Sequence, residues 1–209
     1  MNVEPVSLAE ATELFERYHA YKSASKVATY CFGVRENGWL VAAFSWQPPA
    51  PGAAVSICPT APYAVLALSR MVAVPKVERA LKHISKPLKW QMKTGIDRGR
   101  WPVLVTFSDE GLGHTGYVYQ CSGWTPTSRK RARQFVNDTG QRSSPYSAGK
   151  MRTNELNSIG SAWLQRWEHW ACAPEAVAGW VESKGWVREP IPGRVWRSGN
   201  LAYRWVKKV

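Results

Sequence analysis

The spacing of hydrophobic residues along the first half of the chain switches between a helical period and a strand period. Ser7 and Glu10 form a capping box before an amphipathic stretch, which predicts a helix ending at about Tyr18. Four apolar runs have the length and composition of strands, at residues 28–34, 39–45, 63–74 and 101–107. The first two flank the turn sequence Glu36-Asn37-Gly38 and therefore predict a β-hairpin.

The segments between and after these runs complete the predicted order of elements. Residues 47–62 are rich in Pro, Ala and Gly and predict a loop, whereas residues 77–93 predict a helix that Pro87 should kink or divide. A short helix over 175–184 and a strand pair turned at Ser198-Gly199-Asn200 are expected near the end of the chain. Helix, hairpin, strand, helix and strand in this order predict an α/β fold with a mixed sheet.

Three tryptophans, Trp163, Trp167 and Trp170, have the spacing of one face of a helix. This pattern is more typical of a stripe packed in a core than of a platform on which bases stack. The first interpretation is favoured, and the second stays open.

The charge of the chain is unusual, because 209 residues carry a net charge of +13 and 12 Trp. Residues 120–209 hold 15 Lys and Arg against six Asp and Glu, together with eight of the tryptophans. Cations bind phosphates and flat rings stack on bases, so this composition favours contact with nucleic acid over a basic surface that serves solubility alone. The candidate phosphate-binding surface is the run formed by Arg129, Lys130, Arg131 and Arg133.

The remaining composition indicates a cytoplasmic protein. Four widely spaced cysteines have neither zinc-site nor disulfide-framework spacing, so reduced thiols are expected. The N-terminus lacks the basic start and apolar run of a signal peptide, and no stretch has the length of a transmembrane helix.

The densest group of polar side chains follows the strand predicted over 101–107. It consists of Asp109, His114, Tyr117, Tyr119 and Gln120. Polar groups at the tip of a buried strand are how α/β proteins present side chains to ligands, so this segment predicts a binding or active site.

The order of elements is similar to the GNAT acyltransferase fold: a mixed, mostly antiparallel twisted sheet flanked by helices, here with a basic, Trp-rich C-terminal extension. A narrower resemblance is to the Mom DNA-modification proteins of Mu-like phages, a divergent GNAT branch. It is carried by Tyr18-His19-Ala20-Tyr21, the hairpin of residues 30–41, Leu68-Ser69-Arg70 and the block of residues 107–124. Order and spacing agree over about residues 10–130.

The resemblance implies a catalytic core over residues 1–130, completed by a DNA-contacting part over residues 131–209. It implies an enzyme that places a carbamoylmethyl-type group on the exocyclic amine of adenine in double-stranded DNA, in the cytoplasm of a bacterial host, and so protects that DNA from restriction. No membrane is involved, and a homodimer is left open.

The resemblance also implies an active site of Arg70, Asp109 and Tyr119, with His19 and either Tyr21 or Tyr18 nearby. Arg70 can clamp a carboxylate or phosphate, Asp109 can accept a proton from the adenine amine, and Tyr119 can donate to an oxyanion or a leaving group. A structural ion pair, a turn-capping carboxylate and a packed ring are the respective alternatives. His19, Tyr21, Asp109 and Tyr119 are also hard ligands that suit iron, although their spacing carries no metal signature.

The donor site departs from the usual acyltransferase pattern. GNAT enzymes hold the pyrophosphate of coenzyme A on backbone amides after the long strand, which here corresponds to residues 75–82. The Gly-rich turn is replaced by Lys76-Val77-Glu78-Arg79, so a different phosphate grip by Arg79, Lys82 and Ser85 is expected. Acetyl-CoA or another acyl or aminoacyl donor is implied, but a carbamoylmethyl group contains nitrogen that acetyl-CoA does not supply.

Two other functions compete with DNA modification. One is a GNAT enzyme that acylates a small amine or a protein, with a basic surface that is only solubilising. The other is a non-enzymatic DNA-binding protein on a GNAT scaffold, which the missing Gly-rich loop supports and the polar cluster around Asp109 opposes.

Overall fold

The computed structural model describes residues 2–22, 27–75, 82–136, 142–143, 157–195 and 201–208. The strands within these ranges are β1 (Asn2–Pro5), β2 (Tyr30–Glu36), β3 (Trp39–Gln47), β4 (Val65–Ala73), β5 (Val103–Asp109), β6 (Thr125–Val136), β7 (Arg142–Ser143), β8 (Asn157–Trp170), β9 (Trp186–Val195) and β10 (Leu201–Lys207). The α-helices described are α1 (Leu8–Tyr18), α2 (Pro51–Ile57), α3 (Lys82–Trp90), α4 (Tyr117–Cys121) and α5 (Val177–Ser183).

The described strands form one eight-stranded sheet in the order β1-β2-β3-β4-β5-β8-β6-β7 and a separate β9–β10 pair. Every pairing in the large sheet is antiparallel except that of β4 with β5, so the predicted mixed, mostly antiparallel sheet is confirmed. The parallel ladder joins only Val65–Ala67 to Val103–Val105, whereas β4 continues to Ala73 and β5 to Asp109. A cleft therefore opens between the carboxyl halves of these two strands.

Helix α1 covers one face of the sheet beside this cleft. Its predicted capping box is present: Glu10 N donates to Ser7 Oγ at 3.2 Å, and Ser7 N donates to Glu10 Oε2 at 3.1 Å. Ala11 and Phe15 are fully buried against β2, β3 and β4. The helix ends at Tyr18, where its C-cap residue His19 turns to an extended conformation at the edge of the cleft.

The opposite face of the sheet packs against α3, a π-helical turn over Gln91–Gly95, and α4. Gln91 is fully buried and its Oε1 accepts a hydrogen bond from Trp46 Nε1 at 2.7 Å. Pro87 lies inside α3 and does not divide it, so of the two predicted effects division did not occur. Burial of neighbouring Leu88 in the core offsets the hydrogen bond that proline cannot make.

Helix α2 lies where the sequence predicted a loop over residues 47–62, so that prediction was wrong. Pro51 occupies the first helical position, where its fixed φ suits a helix and its missing N–H costs nothing. Ala54 and Ile57 are buried, and Ile57 packs with Val65 and Val103 on the face of the sheet opposite α3. Tertiary packing thus outweighs the weak helical signal of a Pro- and Gly-rich segment.

The predicted tryptophan helix was also wrong, because Trp163, Trp167 and Trp170 lie on strand β8. Side chains alternate along a strand, so Trp163 and Trp167 share one face and Trp170 lies on the other. Trp167 is 2 % exposed, whereas Trp163 is 39 % exposed. Pairing of β8 with both β5 and β6 decides the structure here, and the helical spacing was coincidental.

The C-terminal part contains the predicted short helix, α5, and the predicted strand pair, β9–β10. The predicted turn at residues 198–200 lies outside the described residues. Trp186 and Trp205 pack against the core beneath α2 and α5. Residue 130 lies within β6, and the large sheet runs across that position without interruption.

Candidate active site

A β-bulge in β4 determines which way Arg70 points. Leu68 pairs with Trp46 in β3, but the next pair joins Arg70 to Ser45, so Ser69 is an extra residue. Its hydroxyl donates to Ser45 O at 3.1 Å. Regular alternation would place Arg70 on the same face as Leu68, in the core beneath α3. The bulge instead places Arg70 beside Ser45, on the face that α1 covers.

The carboxylate of Asp109, at the end of β5, lies on this same side and is 5 % exposed. Its Oδ1 accepts the backbone N–H of Gly111 at 2.9 Å, as the turn-capping interpretation expects. Its Oδ2 accepts the hydroxyl of Tyr21 at 2.9 Å, and Gln134 Nε2 lies 3.3 and 3.4 Å from the two oxygens. Three donors from separate segments therefore fix the carboxylate.

His19 and Tyr21 reach the cleft because α1 ends just before them. His19 N donates to Phe15 O at 3.0 Å, and Tyr21 N donates to His19 Nδ1 at 3.2 Å. Burial lowers the pKa of His19 to about 3, and the nearby charges of Arg70 and His114 act in the same direction. The imidazole is therefore neutral near pH 7, and because Nδ1 accepts, its proton is on Nε2.

Tyr21 and Arg70 complete the cluster. Burial raises the pKa of Tyr21, as does the charge of Asp109, so the phenol keeps its proton and remains a donor. Burial lowers the pKa of the Arg70 guanidinium, but arginine starts so high that it stays charged near neutral pH. A cation, a neutral imidazole, a phenol and a carboxylate thus converge, and can bind an anion next to a proton acceptor.

Tyr119 contacts a different set of residues from these four. It is 7 % exposed, its ring packs against Trp124 and Trp167, and its hydroxyl lies 3.5 Å from Thr106 Oγ1. Thr106 in turn donates to Leu68 O at 3.2 Å. Thr106 and Leu68 directly follow the last pair of the β4–β5 ladder, so the Tyr119 hydroxyl lies at the closed end of the cleft. Burial raises its pKa and keeps it protonated.

The glycines around His114 let this loop fold closely over the sheet. Gly116 has a φ of +77°, and a Cβ there would lie 2.2 Å from the ring of Trp167. That indole donates to Ser108 Oγ at 2.9 Å, so it cannot move freely. The side chain of His114 is exposed, whereas its backbone N–H donates to Asp109 O at 3.1 Å.

Two site residues were not identified from the sequence, Gln134 and Arg142. Gln134 is 4 % exposed and faces Asp109. Arg142 Nη1 donates to Gly111 O at 2.7 Å and lies 3.5 Å from Gln134 Oε1. Both follow Arg133, beyond which the sequence carries no recognisable motif, and β6 shows no clear alternation that would single out one inward glutamine.

The predicted phosphate grip remains a prediction. Arg79 lies outside the described residues, as does the side chain of Lys82. Ser85 is half-buried, and its carbonyl accepts a hydrogen bond from Ser122 Oγ at 3.4 Å.

Iron finds no support. No cluster of three or more His, Cys, Asp or Glu that could hold a metal occurs in the part of the chain that the structure describes. Two of the four candidate ligands, Tyr21 and Asp109, are hydrogen-bonded to each other. Tyr119 instead contacts Thr106, Trp124 and Trp167.

The basic run lies on β6, and the side chains of Arg129, Lys130, Arg131 and Arg133 are exposed. Arg129 forms an ion pair with Glu110 at 2.6 Å.

Within the described ranges, no helix is both long and apolar enough to cross a membrane.

Solved structures of acetyltransferases share this fold. A ribosomal-protein-alanine N-acetyltransferase from Brucella melitensis matches with a TM-score of 0.52 at 10% identity, over 81% of this chain and 99% of that chain. An N-acetyltransferase from Staphylococcus aureus Mu50 matches with a TM-score of 0.51 at 11% identity, over 82% and 98%. A Bacillus subtilis acetyltransferase solved in complex with CoA matches with a TM-score of 0.50 at 9% identity, over 81% and 97%.

Comparison with curated proteins found no significant match. The model of the Mom protein family, in contrast, matches residues 1–171, which include β1 to β8 and every member of the cluster around Asp109. Since this match covers far more than half of the sequence, the chain belongs to the Mom family, and its fold is similar to that of these acetyltransferases.

Proposed function

We propose that the protein is a transferase that modifies the exocyclic amine of adenine in double-stranded DNA, with a carbamoylmethyl-type group that protects the DNA from restriction. The observation that carries this proposal is the Tyr21–Asp109 hydrogen bond beside Arg70, in a Mom-family chain with a transferase fold. The modification reaction takes place in the cytoplasm of a bacterial host.

The acceptor chemistry explains why a base is needed. The lone pair of the adenine amine is delocalised into the ring, so the nitrogen attacks poorly unless its proton is removed. Asp109 is the proton acceptor, and it is reached through the Tyr21 hydroxyl that donates to its Oδ2. The amine proton passes to the Tyr21 oxygen while the Tyr21 proton passes to Asp109.

The donor occupies the cleft between β4 and β5. Binding of CoA by the Bacillus subtilis acetyltransferase of the same fold supports an activated acyl or aminoacyl carrier here. Such a carrier would supply an electrophilic carbon: the amine nitrogen bonds to this carbon while the bond from the carbon to the carrier breaks, and the carrier leaves and takes up a proton. Arg70 and the Nε2–H of His19 bind negative charge on one side of the cleft, and the protonated Tyr119 hydroxyl donates at its closed end.

The exposed cations of β6 provide the DNA contact. Their charge suits the phosphate backbone, and the target base must leave the stack before its amine can enter the cleft. A small-molecule acyltransferase has no need for such a basic strand next to its site.

The test is mass spectrometry of nucleosides from plasmid DNA grown in bacteria that express the protein. Wild type should give a new adenosine species, and Asp109→Asn should abolish it, because the amide still accepts the Gly111 N–H but is a very weak base. Asp97→Asn is the matched control, since Asp97 Oδ1 caps its turn through Gly99 N at the same 2.9 Å. Unmodified DNA from folded, abundant wild type would overturn the proposal, and acyl-CoA turnover without DNA would then favour the small-amine alternative.

A further inference from the structure

Strands β6 and β8 form a ribbon that extends beyond the rest of the sheet. The last pair of β8 with β5 is Leu164 with Asp109. Residues 157–163 of β8 pair, among the described strands, with β6 alone. At the usual rise of a strand, this ribbon is roughly 20 Å long. It begins beside Asp109 and so leads away from the candidate active site.

The two faces of the ribbon differ sharply. On one face, Gln134 reaches Asp109, and Ala162 lies so close to Gly111 that a Cβ there would be 2.7 Å away. On the other face, Arg131 lies directly opposite Trp163, and side chains of directly paired residues share a face. One face therefore closes the site, and the other faces solvent with cations and an indole.

The indole of Trp163 is held in place although it is 39 % exposed. The guanidinium carbon of Arg129 lies 4.7 Å from the ring centre, and that of Arg131 lies 5.8 Å away. Arg129 Nη2 also donates to both oxygens of Glu110, at 2.6 and 2.8 Å. Since Glu110 follows Asp109, two side chains connect the indole to the catalytic segment. Arg129 thus orients Trp163, and Arg131 and Arg133 are exposed cations on the same face of the ribbon.

We propose that Trp163 stacks on a nucleobase of the DNA substrate next to the nucleotide whose adenine enters the cleft. The inference rests on the proposed function and adds the residue that contacts bases. An exposed, oriented indole among cations supplies stacking area where phosphates are attracted, which fits DNA better than an uncharged protein surface. Extrusion of the target base exposes the faces of its neighbours, and an exposed indole can stack on such a face.

The test is binding of an oligonucleotide that carries the fluorescent base 2-aminopurine, single-stranded and within a duplex. Trp163→Ala should weaken single-strand binding roughly 5- to 100-fold and abolish the quenching of 2-aminopurine, and Trp163→Phe should restore part of both. The slope of log affinity against log salt should not change, because no phosphate contact is lost. Tyr203→Ala is the matched control: Tyr203, on β10, is also 39 % exposed and lies beneath the guanidinium of Arg188 on β9.

The outcomes separate this inference from the proposed function. Unchanged affinity and quenching in Trp163→Ala would overturn the stacking role, as would a lower salt slope, which would mean that the indole acts by positioning phosphate contacts. If the wild-type protein modifies adenine, the proposed function stands whether or not Trp163 stacks on a base. Wild type that binds and modifies no DNA would overturn both. The Trp163 variants should unfold at temperatures close to that of the wild-type protein, since Trp163 lies outside the core clusters.

Discussion

The hydroxyl of Tyr21 donates to Oδ2 of Asp109 at 2.9 Å, although 88 positions separate the two residues in the chain. Tyr21 follows the end of α1, and Asp109 ends β5, so the bond joins two elements on either side of the β4–β5 cleft. Because burial raises the pKa of Tyr21, its proton stays on the phenol and the direction of the bond is fixed.

Tyr21→Phe should reduce adenine modification by about 100-fold or more, because the relay to Asp109 is removed while the ring is kept. The free energy of unfolding should fall by only about 1–3 kcal/mol, since Asp109 keeps its bond from Gly111. Nucleoside mass spectrometry and urea unfolding measure the two effects. Tyr117→Phe is the control, as Tyr117 is 54 % exposed, and a Tyr21→Phe enzyme of normal activity would contradict the relay.

Gly116→Ala should destabilise the protein strongly. The left-handed φ of +77° costs an alanine about 1–2 kcal/mol, and the clash of its Cβ with Trp167 adds roughly 1–3 kcal/mol. Gly113→Ala isolates the first contribution, because Gly113 has a φ of +74° and nothing within 4 Å of its Cβ position. Urea unfolding of both variants checks this. Equal losses of stability would show that the loop moves away from Trp167 at no cost.

Local sequence signals predicted the elements that local chemistry determines. The capping box of Ser7 and Glu10 set the start of α1, and Asn37-Gly38 set the turn between β2 and β3, where both residues have positive φ. Asp109 stood out because polar residues crowd the end of a buried strand. The family resemblance then placed Arg70, His19 and Tyr21 in one site, and three-dimensional pairing supplied their arrangement.

The features that the sequence did not predict all depend on partners far away in the chain. Ser69 forms a bulge only because β3 pairs with β4, and the bulge decides the face on which Arg70 lies. The helical spacing of Trp163 and Trp167 was misleading, since β5 and β6 hold that segment as a strand. Gln134 could not be identified, because a single polar residue in an exposed strand carries no pattern.

His19 should make stability depend on pH below neutrality. Burial lowers its pKa from 6.5 to about 3, so between these values the unfolded chain binds a proton that the folded protein does not. This residue costs nothing above pH 6.5 and destabilises the fold increasingly as the pH falls toward 3. His19→Gln should reduce the slope of unfolding free energy against pH there, by at most about 1.4 kcal/mol per unit. Identical slopes from urea unfolding would mean that His19 titrates normally.

Arg133→Ala should weaken DNA binding and lower the slope of log affinity against log salt by about 0.9, because one phosphate contact and its released counterion are lost. Arg204→Ala is the control, since Arg204 is similarly exposed but lies on β10, outside the large sheet and paired with Glu189. Titration of a DNA duplex at several salt concentrations measures both slopes. An equal reduction in the two variants would mean that net charge alone attracts DNA, whereas a reduction confined to Arg133→Ala would establish β6 as the strand that lies along the phosphates.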